Sequence, residues 1–125
     1  MRVLTAAASL CGLVLVAAGA VGAHMVPIEA TRQWDNALLF GFVHALAALA
    51  AGALNLQTRI ALISGWSFLA GVLMFSGVEV AKLLTTSGGA SPFDALTMLV
   101  PVGGIAFMLG WGLLAIAALM PAKET

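Results

Sequence analysis

Hydrophobic residues run almost unbroken through four stretches of this chain, and the polar positions collect between them. The uncharged stretches cover residues 3–23, 36–58, 60–78 and 95–122. At about 1.5 Å of rise per helical residue, even the shortest spans close to the ~30 Å hydrocarbon core of a bilayer. A soluble domain of 125 residues has no use for four such runs. The pattern therefore predicts an all-α fold, an antiparallel four-helix transmembrane bundle. It forms a single integral membrane domain over residues 1–125, with helices near 3–23, 35–56, 60–84 and 93–120.

Small residues recur within these runs at helical spacing. Ala8, Gly12, Leu15, Gly19 and Gly22 share a face of the first helix, and Ala37, Gly41, His44, Ala48, Ala51 and Asn55 share a face of the second. Bilayers give helices no hydrophobic reason to associate, so small faces that let backbones approach are the expected contacts. Gly71 in the third helix and Gly103, Gly104 and Gly110 in the fourth extend this set. Trp66 and Trp111 lie too deep for an interfacial aromatic belt and are expected to fill crossings beside Gly65, Gly110 and Gly112. Trp34, among Glu29, Arg32 and Asp35, reads as an interfacial anchor.

The breaks are equally legible. Pro27 stops or kinks the chain after the first helix, and residues 55–59 form a turn too short for anything but an antiparallel return. Between the third and fourth helices, Gly88 and Gly89 precede a start signal in which Ser91 is the N-cap, Pro92 the first helical residue and Asp94 part of the first turn. Pro101 then frees the carbonyl of Thr97, so the fourth helix is either kinked or split into a short interfacial piece and a main span.

Composition narrows the function. Apolar residues make up 62% of the chain and charged residues 8%, with a mean hydropathy of +1.12, which leaves little for a domain outside the membrane. Five basic and five acidic residues cancel, which argues against nucleic acid as a partner. Cys11 is alone and reads as a small apolar packing residue. The first apolar run is longer than a signal-peptide core, so the N-terminal segment is expected to be retained, and Leu10 before Cys11 does not suit lipidation. No internal repeat is evident. Arg2, Arg59 and Lys123 fall on the side of the termini, and Arg32 and Lys82 on the other. That bias predicts a multi-pass protein with both termini cytoplasmic.

Four strings in order, AGAVGAHM, FVHALAAL, SGWSFLAGVLMFSG and LVPVGGIAFMLGW, resemble the YgdD-like family of uncharacterised small integral membrane proteins. That family shows GAFGAH, HALALL, a third helix with FSG, and a fourth with TPxGG…GW. The resemblance spans nearly the whole chain and implies a four-helix inner-membrane protein without a settled biochemical activity. The chain departs from it in LLFGFVH before the second histidine and in SGVEV after the third-helix Phe, which makes Glu79 unusual against that pattern.

Few polar residues are placed to carry chemistry: His24, His44, Ser76 and Glu79. His44 falls near the midplane, where a polar group needs a partner. Helical side chains tilt toward their N-terminus, so His44 is expected at the level of residues 97–101, with the carbonyl freed by Pro101 as its acceptor. His24 ends the first helix as an interfacial or capping residue. The two histidines sit at different depths and are poorly matched as haem ligands. Glu79 and Lys82 are spaced for a solvated ion pair at a helix end, with an inward Glu79 continuing through Ser76 toward His44 as the alternative.

These features predict a non-enzymatic protein without cofactor or metal. It would act in the lipid bilayer as an accessory or assembly subunit of a larger membrane complex, or as a homo-oligomer. A small oligomeric transporter or channel is the first alternative, and a haem- or quinone-associated redox subunit the second.

Overall fold

The computed structural model describes residues 1–54 and 59–121. Among them, four helices are long and apolar enough to cross a bilayer: α1 (Arg2–Met25), α2 (Thr31–Ala53), α3 (Arg59–Thr85) and α4 (Leu99–Leu119). They form the expected all-helical bundle. The second helix ends at Ala53 rather than near 56, with Leu54 already extended, while residues 55–58 of the expected turn and Lys123 lie outside the described residues. The main packing is α1 on α2, α2 on α3 and α3 on α4, which puts α2 and α3 in the middle. Accordingly 39% and 44% of the two central spans is buried, against 22% of each outer one.

Two helix starts differ from the sequence reading. Pro27 opens a 3-10 turn, Ile28–Ala30, in which the Ala30 N–H donates to the Pro27 carbonyl at 3.0 Å, and α2 begins straight after it at Thr31. Arg32 and Asp35 are thereby inside the helix. At the other end, the expected Ser91 cap is corrected: Ser91 closes a turn, accepting from the Phe93 N–H at 3.1 Å while its own N–H donates to Asp94 at 2.9 Å, and Pro92 is part of that turn rather than the first helical residue. The 3-10 turn Asp94–Leu96 follows, with Phe93 at its cap position and no side chain capping it, and the span proper begins at Leu99. The fourth helix is thus split, and Pro101 stands in the first turn of the main piece, where a missing N–H is harmless.

The link before it is a tight reversal. Gly88 and Gly89 take positive φ values of 60° and 83°, which side-chain-bearing residues rarely adopt. Ser87 and Ala90 exchange both backbone hydrogen bonds across them, at 2.9 and 3.2 Å.

Packing follows a single rule: a glycine on one helix receives a large side chain or the backbone of another. Trp34 of α2 lies over Gly22 of α1, Leu4 of α1 fills the notch at Gly65, Phe107 of α4 fills that at Gly71, and Phe68 of α3 fills that at Gly110. Leu15 occupies the space beside Gly41, where an added Cβ would stand 2.8 Å from its Cδ2. At the α3–α4 crossing backbone meets backbone: a Cβ on Gly103 would lie 2.7 Å from the Phe75 backbone nitrogen and 3.1 Å from the Gly71 carbonyl oxygen. There α3 widens into a π-helical segment, Val72–Gly77, an irregularity of the helical ladder that recurs at functional sites and that hydrophobic periodicity does not reveal.

Several expected contacts are corrected. Nothing lies within 4 Å of a Cβ built on Gly12, Gly104 or Gly112, and Gly19 is in ordinary contact with Leu38 at 3.5 Å. Gly12 and Gly104 face away from the other helices of the chain because the turns around them present Ala8, Leu15, Gly103 and Phe107 inward instead. Trp34 is 4% exposed, so it is a core knob rather than an interfacial anchor. Trp66 and Trp111 remain half exposed, because Leu4 and Phe68 already occupy the notches assigned to them.

Substitution at the α3–α4 crossing separates close packing from mere hydrophobicity. Gly103→Ala is expected to destabilise the protein by about 1–3 kcal/mol, since the obstacle is backbone that cannot rotate away. Gly104→Ala, one position along the same helix, should stay within about 0.5 kcal/mol of wild type. Thermal unfolding of the two variants in detergent checks this, with equal losses contradicting the geometry.

Candidate functional site

His44 sits where α2 and α4 come together through their side chains. Thirteen residues separate it from the start of α2 at Thr31, and twelve separate Trp111 from the start of α4 at Leu99. The two helices run in the same direction, so these side chains meet at one level. Nδ1 of His44 lies 2.7 Å from the Phe40 carbonyl, one turn back, and Nε2 lies 3.2 Å from Nε1 of Trp111. A carbonyl can only accept and an indole N–H can only donate, so the proton is on Nδ1 and the Nε2 lone pair faces Trp111. Both ring nitrogens of a neutral imidazole are thereby satisfied.

Aromatic rings surround it. Phe107 stacks on the imidazole with centroids 3.6 Å apart and planes 12° apart, while Phe40, Phe68 and Trp111 stand at 5.9, 5.7 and 6.1 Å. Phe68 and Trp111 meet edge to face at 5.0 Å. Beside the cluster, the Ser64 hydroxyl donates to the Gly110 carbonyl at 2.7 Å, a second tie between α3 and α4. Such bonds across transmembrane helices average about 0.6 kcal/mol, so close packing and stacking hold the cluster as much as hydrogen bonding does.

This corrects the expected partner of His44. The Thr97 carbonyl freed by Pro101 is taken by the Val100 N–H at 3.1 Å. Because α4 starts at Leu99, residues 97–101 lie about a helix's half-length above the imidazole, and Trp111 lies beside it. The sequence does carry a signal for the cage: Phe40 and His44 are four apart, as are Phe107 and Trp111, so each pair shares a face of its helix. His24 is exposed in the last turn of α1, at the end of the bundle, and is not brought together with His44. Among the described residues, no three His, Cys, Asp or Glu side chains gather where they could hold a metal ion.

Toward the end of the bundle that carries the Gly88–Gly89 turn, the polar residues form a separate group. Glu79 is buried, 8% exposed, and accepts a hydrogen bond from the Gln33 side-chain amide across the α2–α3 interface. The solvated Glu79–Lys82 pair is therefore corrected: the carboxylate turns inward, as in the alternative, but toward Gln33. One turn deeper, Ser76 is fully buried beside Gly41, and its hydroxyl has no hydrogen-bond partner among the described residues. The line from Glu79 to His44 is interrupted at that point. Arg32, Gln33, Asn36 and Glu79 line a recess of about 380 Å³ with Phe75 and Val100. Gln33 escaped the sequence reading because the second helix was expected to start after it.

Over residues 18–104 the sequence matches the family described as "Protein of unknown function (DUF423)". The chain belongs to this family. Relatives similar along their full length carry the name UPF0382 membrane protein. One from Staphylococcus aureus (strain bovine RF122) is 30% identical, covering 94% of this chain and 95% of the relative. One from Staphylococcus epidermidis (strain ATCC 12228) is 29% identical over 95% and 97%, and one from Staphylococcus haemolyticus is 28% identical over 94% and 95%. No solved structure matches. With the four spans, these names establish a small membrane protein. The region matched to the DUF423 family contains Trp34, His44, Ser76 and Glu79, and Phe107 and Trp111 follow it.

A double-mutant cycle tests the clasp. His44→Leu leaves the Trp111 N–H without its acceptor and Trp111→Phe removes the donor, so each should destabilise. The double variant should lose less than the sum, with a coupling of about 0.5–1.5 kcal/mol. Unfolding in detergent measures it, and strict additivity would contradict the hydrogen bond.

Proposed function

We propose that this DUF423 member is a non-enzymatic accessory or assembly subunit of a larger membrane complex, placed in the bacterial cytoplasmic membrane as the YgdD-like resemblance implies. The observation that carries this reading is the double commitment of His44. Its Nδ1 serves the Phe40 carbonyl and its Nε2 serves Trp111, so the midplane imidazole acts as a structural clasp, and haem ligation or proton relay would have to break one of those bonds first. The outer faces of α1 and α4 support the same reading. Val3, Leu10, Leu13, Met108, Leu109 and Leu119 are all exposed apolar residues there, free for lipid or a neighbouring subunit.

A small oligomeric transporter or channel is the second reading, favoured by the Ser76 hydroxyl, buried about one helical turn from Glu79 and without a hydrogen-bond partner among the described residues. Purification in mild detergent decides between the two. The accessory reading expects a defined larger protein to co-purify in fixed ratio, with association preserved in Trp66→Phe, which leaves the clasp intact, and weakened in His44→Leu. Recovery only as copies of the 12.7 kDa chain, together with solute flux in proteoliposomes, would favour the transporter. A visible haem band lost in His44→Asn would favour the redox reading.

Orientation follows from charge. Arg2 and Arg59 open α1 and α3 at one end, with Lys123 next in the sequence beyond α4. Arg32 and Lys82 lie at the other end together with Glu29, Asp35, Glu79 and Asp94. The positive-inside rule then puts both termini in the cytoplasm. In a Cys11→Ala background, Ser87→Cys should react with an impermeant maleimide in intact cells and Pro121→Cys only after lysis. The reverse pattern would invert the topology.

A further inference from the structure

The recess between α2, α3 and α4 has the make-up of a ligand site rather than of a packing defect. Its inner wall is the Glu79 carboxylate, more than nine-tenths buried and held by a neutral amide, Gln33. A buried carboxylate is costly unless a positive group or several donors compensate it. At the rim of the same recess stand the exposed Arg32 and Asn36. A bare metal ion suits this lining poorly, because the Arg32 guanidinium would repel it and no cluster of three ligands forms among the described residues. A molecule carrying both charges suits it well: an ammonium to donate to Glu79, and an acidic group for Arg32.

Position narrows the ligand further. Arg32 and Gln33 are in the first turn of α2, Val100 is in the first turn of α4, and Glu79 is six residues from the end of α3 at Thr85, or about 9 Å of helix. The recess thus opens at the level where the hydrocarbon core gives way to headgroups. Its volume of about 380 Å³ falls within the range of ~300–1,000 Å³ common to small-molecule sites, which is enough for a headgroup-sized molecule. We propose that this recess binds a small zwitterion with a primary ammonium and an acidic group a few bonds apart, the ammonium on Glu79 and the acid on Arg32. An ethanolamine phosphate headgroup has this chemistry, whether attached to a lipid or free. This binding goes beyond the accessory role and stands or falls separately from it.

The full chain in maltoside detergent is titrated by calorimetry with dihexanoyl phosphatidylethanolamine, dihexanoyl phosphatidylcholine and free O-phosphoethanolamine. The ethanolamine lipid should bind at least tenfold more tightly than the choline lipid, whose trimethylated nitrogen offers no N–H to Glu79. Glu79→Gln keeps the size of the side chain and removes its charge, and Arg32→Gln changes only an exposed residue. Each should weaken ethanolamine binding about tenfold, as loss of a charge-assisted hydrogen bond does, while Lys82→Gln leaves it unchanged. Tighter binding of the lipid than of free O-phosphoethanolamine assigns the site to a headgroup, and equal binding assigns it to a soluble zwitterion. Equal affinity for the two lipids, no binding of either ethanolamine compound, or undiminished binding in the well-folded Arg32→Gln overturns the proposal.

Discussion

Close approach of helix backbones through glycine is the constraint on which this structure depends. Lipid tails are as apolar as leucine, so burying a leucine between helices gains little over leaving it in the bilayer, and cohesion must come from contact density and hydrogen bonds. Gly22, Gly41, Gly65, Gly71, Gly103 and Gly110 supply the contact density, each opening a notch that a neighbour fills. Four of the fillers, Leu4, Trp34, Phe68 and Phe107, are among the least exposed side chains of the chain. The bundle is therefore an interlocking of large residues with gaps, and its specificity lies in which large residue enters which gap.

The aromatic cage grows out of the same interlocking. Phe68 and Phe107 enter the notches at Gly110 and Gly71 from opposite helices, and in doing so they flank His44. With Phe107 stacked on its ring and both nitrogens bonded, the imidazole is fixed in position, orientation and tautomer. A polar group at the bilayer midplane is usually read as chemistry. Here its hydrogen-bonding capacity is used up inside the protein, and it ties α2 to α4, two helices whose backbones otherwise share few close contacts.

The two ends of the bundle differ in kind. One holds the helix starts at Arg2 and Arg59, while the other gathers four acidic and two basic residues around the π-helical segment and the Gly88–Gly89 turn. Backbone irregularity, a buried carboxylate and an unpartnered serine hydroxyl all fall in this second half. A buried carboxylate and an unsatisfied hydroxyl are destabilising in isolation, so their concentration beside the π-helical segment marks this region as the part of the fold under a demand other than packing.

Much of the architecture was legible from residues alone. The four spans follow from uninterrupted apolar length, the small-residue faces of α1 and α2 from helical spacing, and the inward direction of Ala8, Leu15, Ala37, Gly41, Ala48 and Ala51 from both. That His44 must find a partner was legible for the same reason, since water is not available at that depth. Which partner it finds was not. It depends on the axial offset between α2 and α4, set by where the turns after Pro27 and Ser91 release the chain into each helix, and starts at Thr31 and Leu99 instead of near 35 and 93 shift the level facing His44 from Thr97 to Trp111. Glycine notches were equally open in sequence: Gly103 and Gly104 are neighbours of the same type, yet one meets backbone and the other meets nothing within 4 Å. A one-residue step turns a helical position by about 100°. The sequence by itself thus determined that this chain crosses a membrane four times and packs through small residues, because length and hydropathy are local properties. Only the tertiary structure decided the pairing of knobs with notches, the tautomer of His44 and the inward turn of Glu79, because each depends on the rotation and offset of one helix against another.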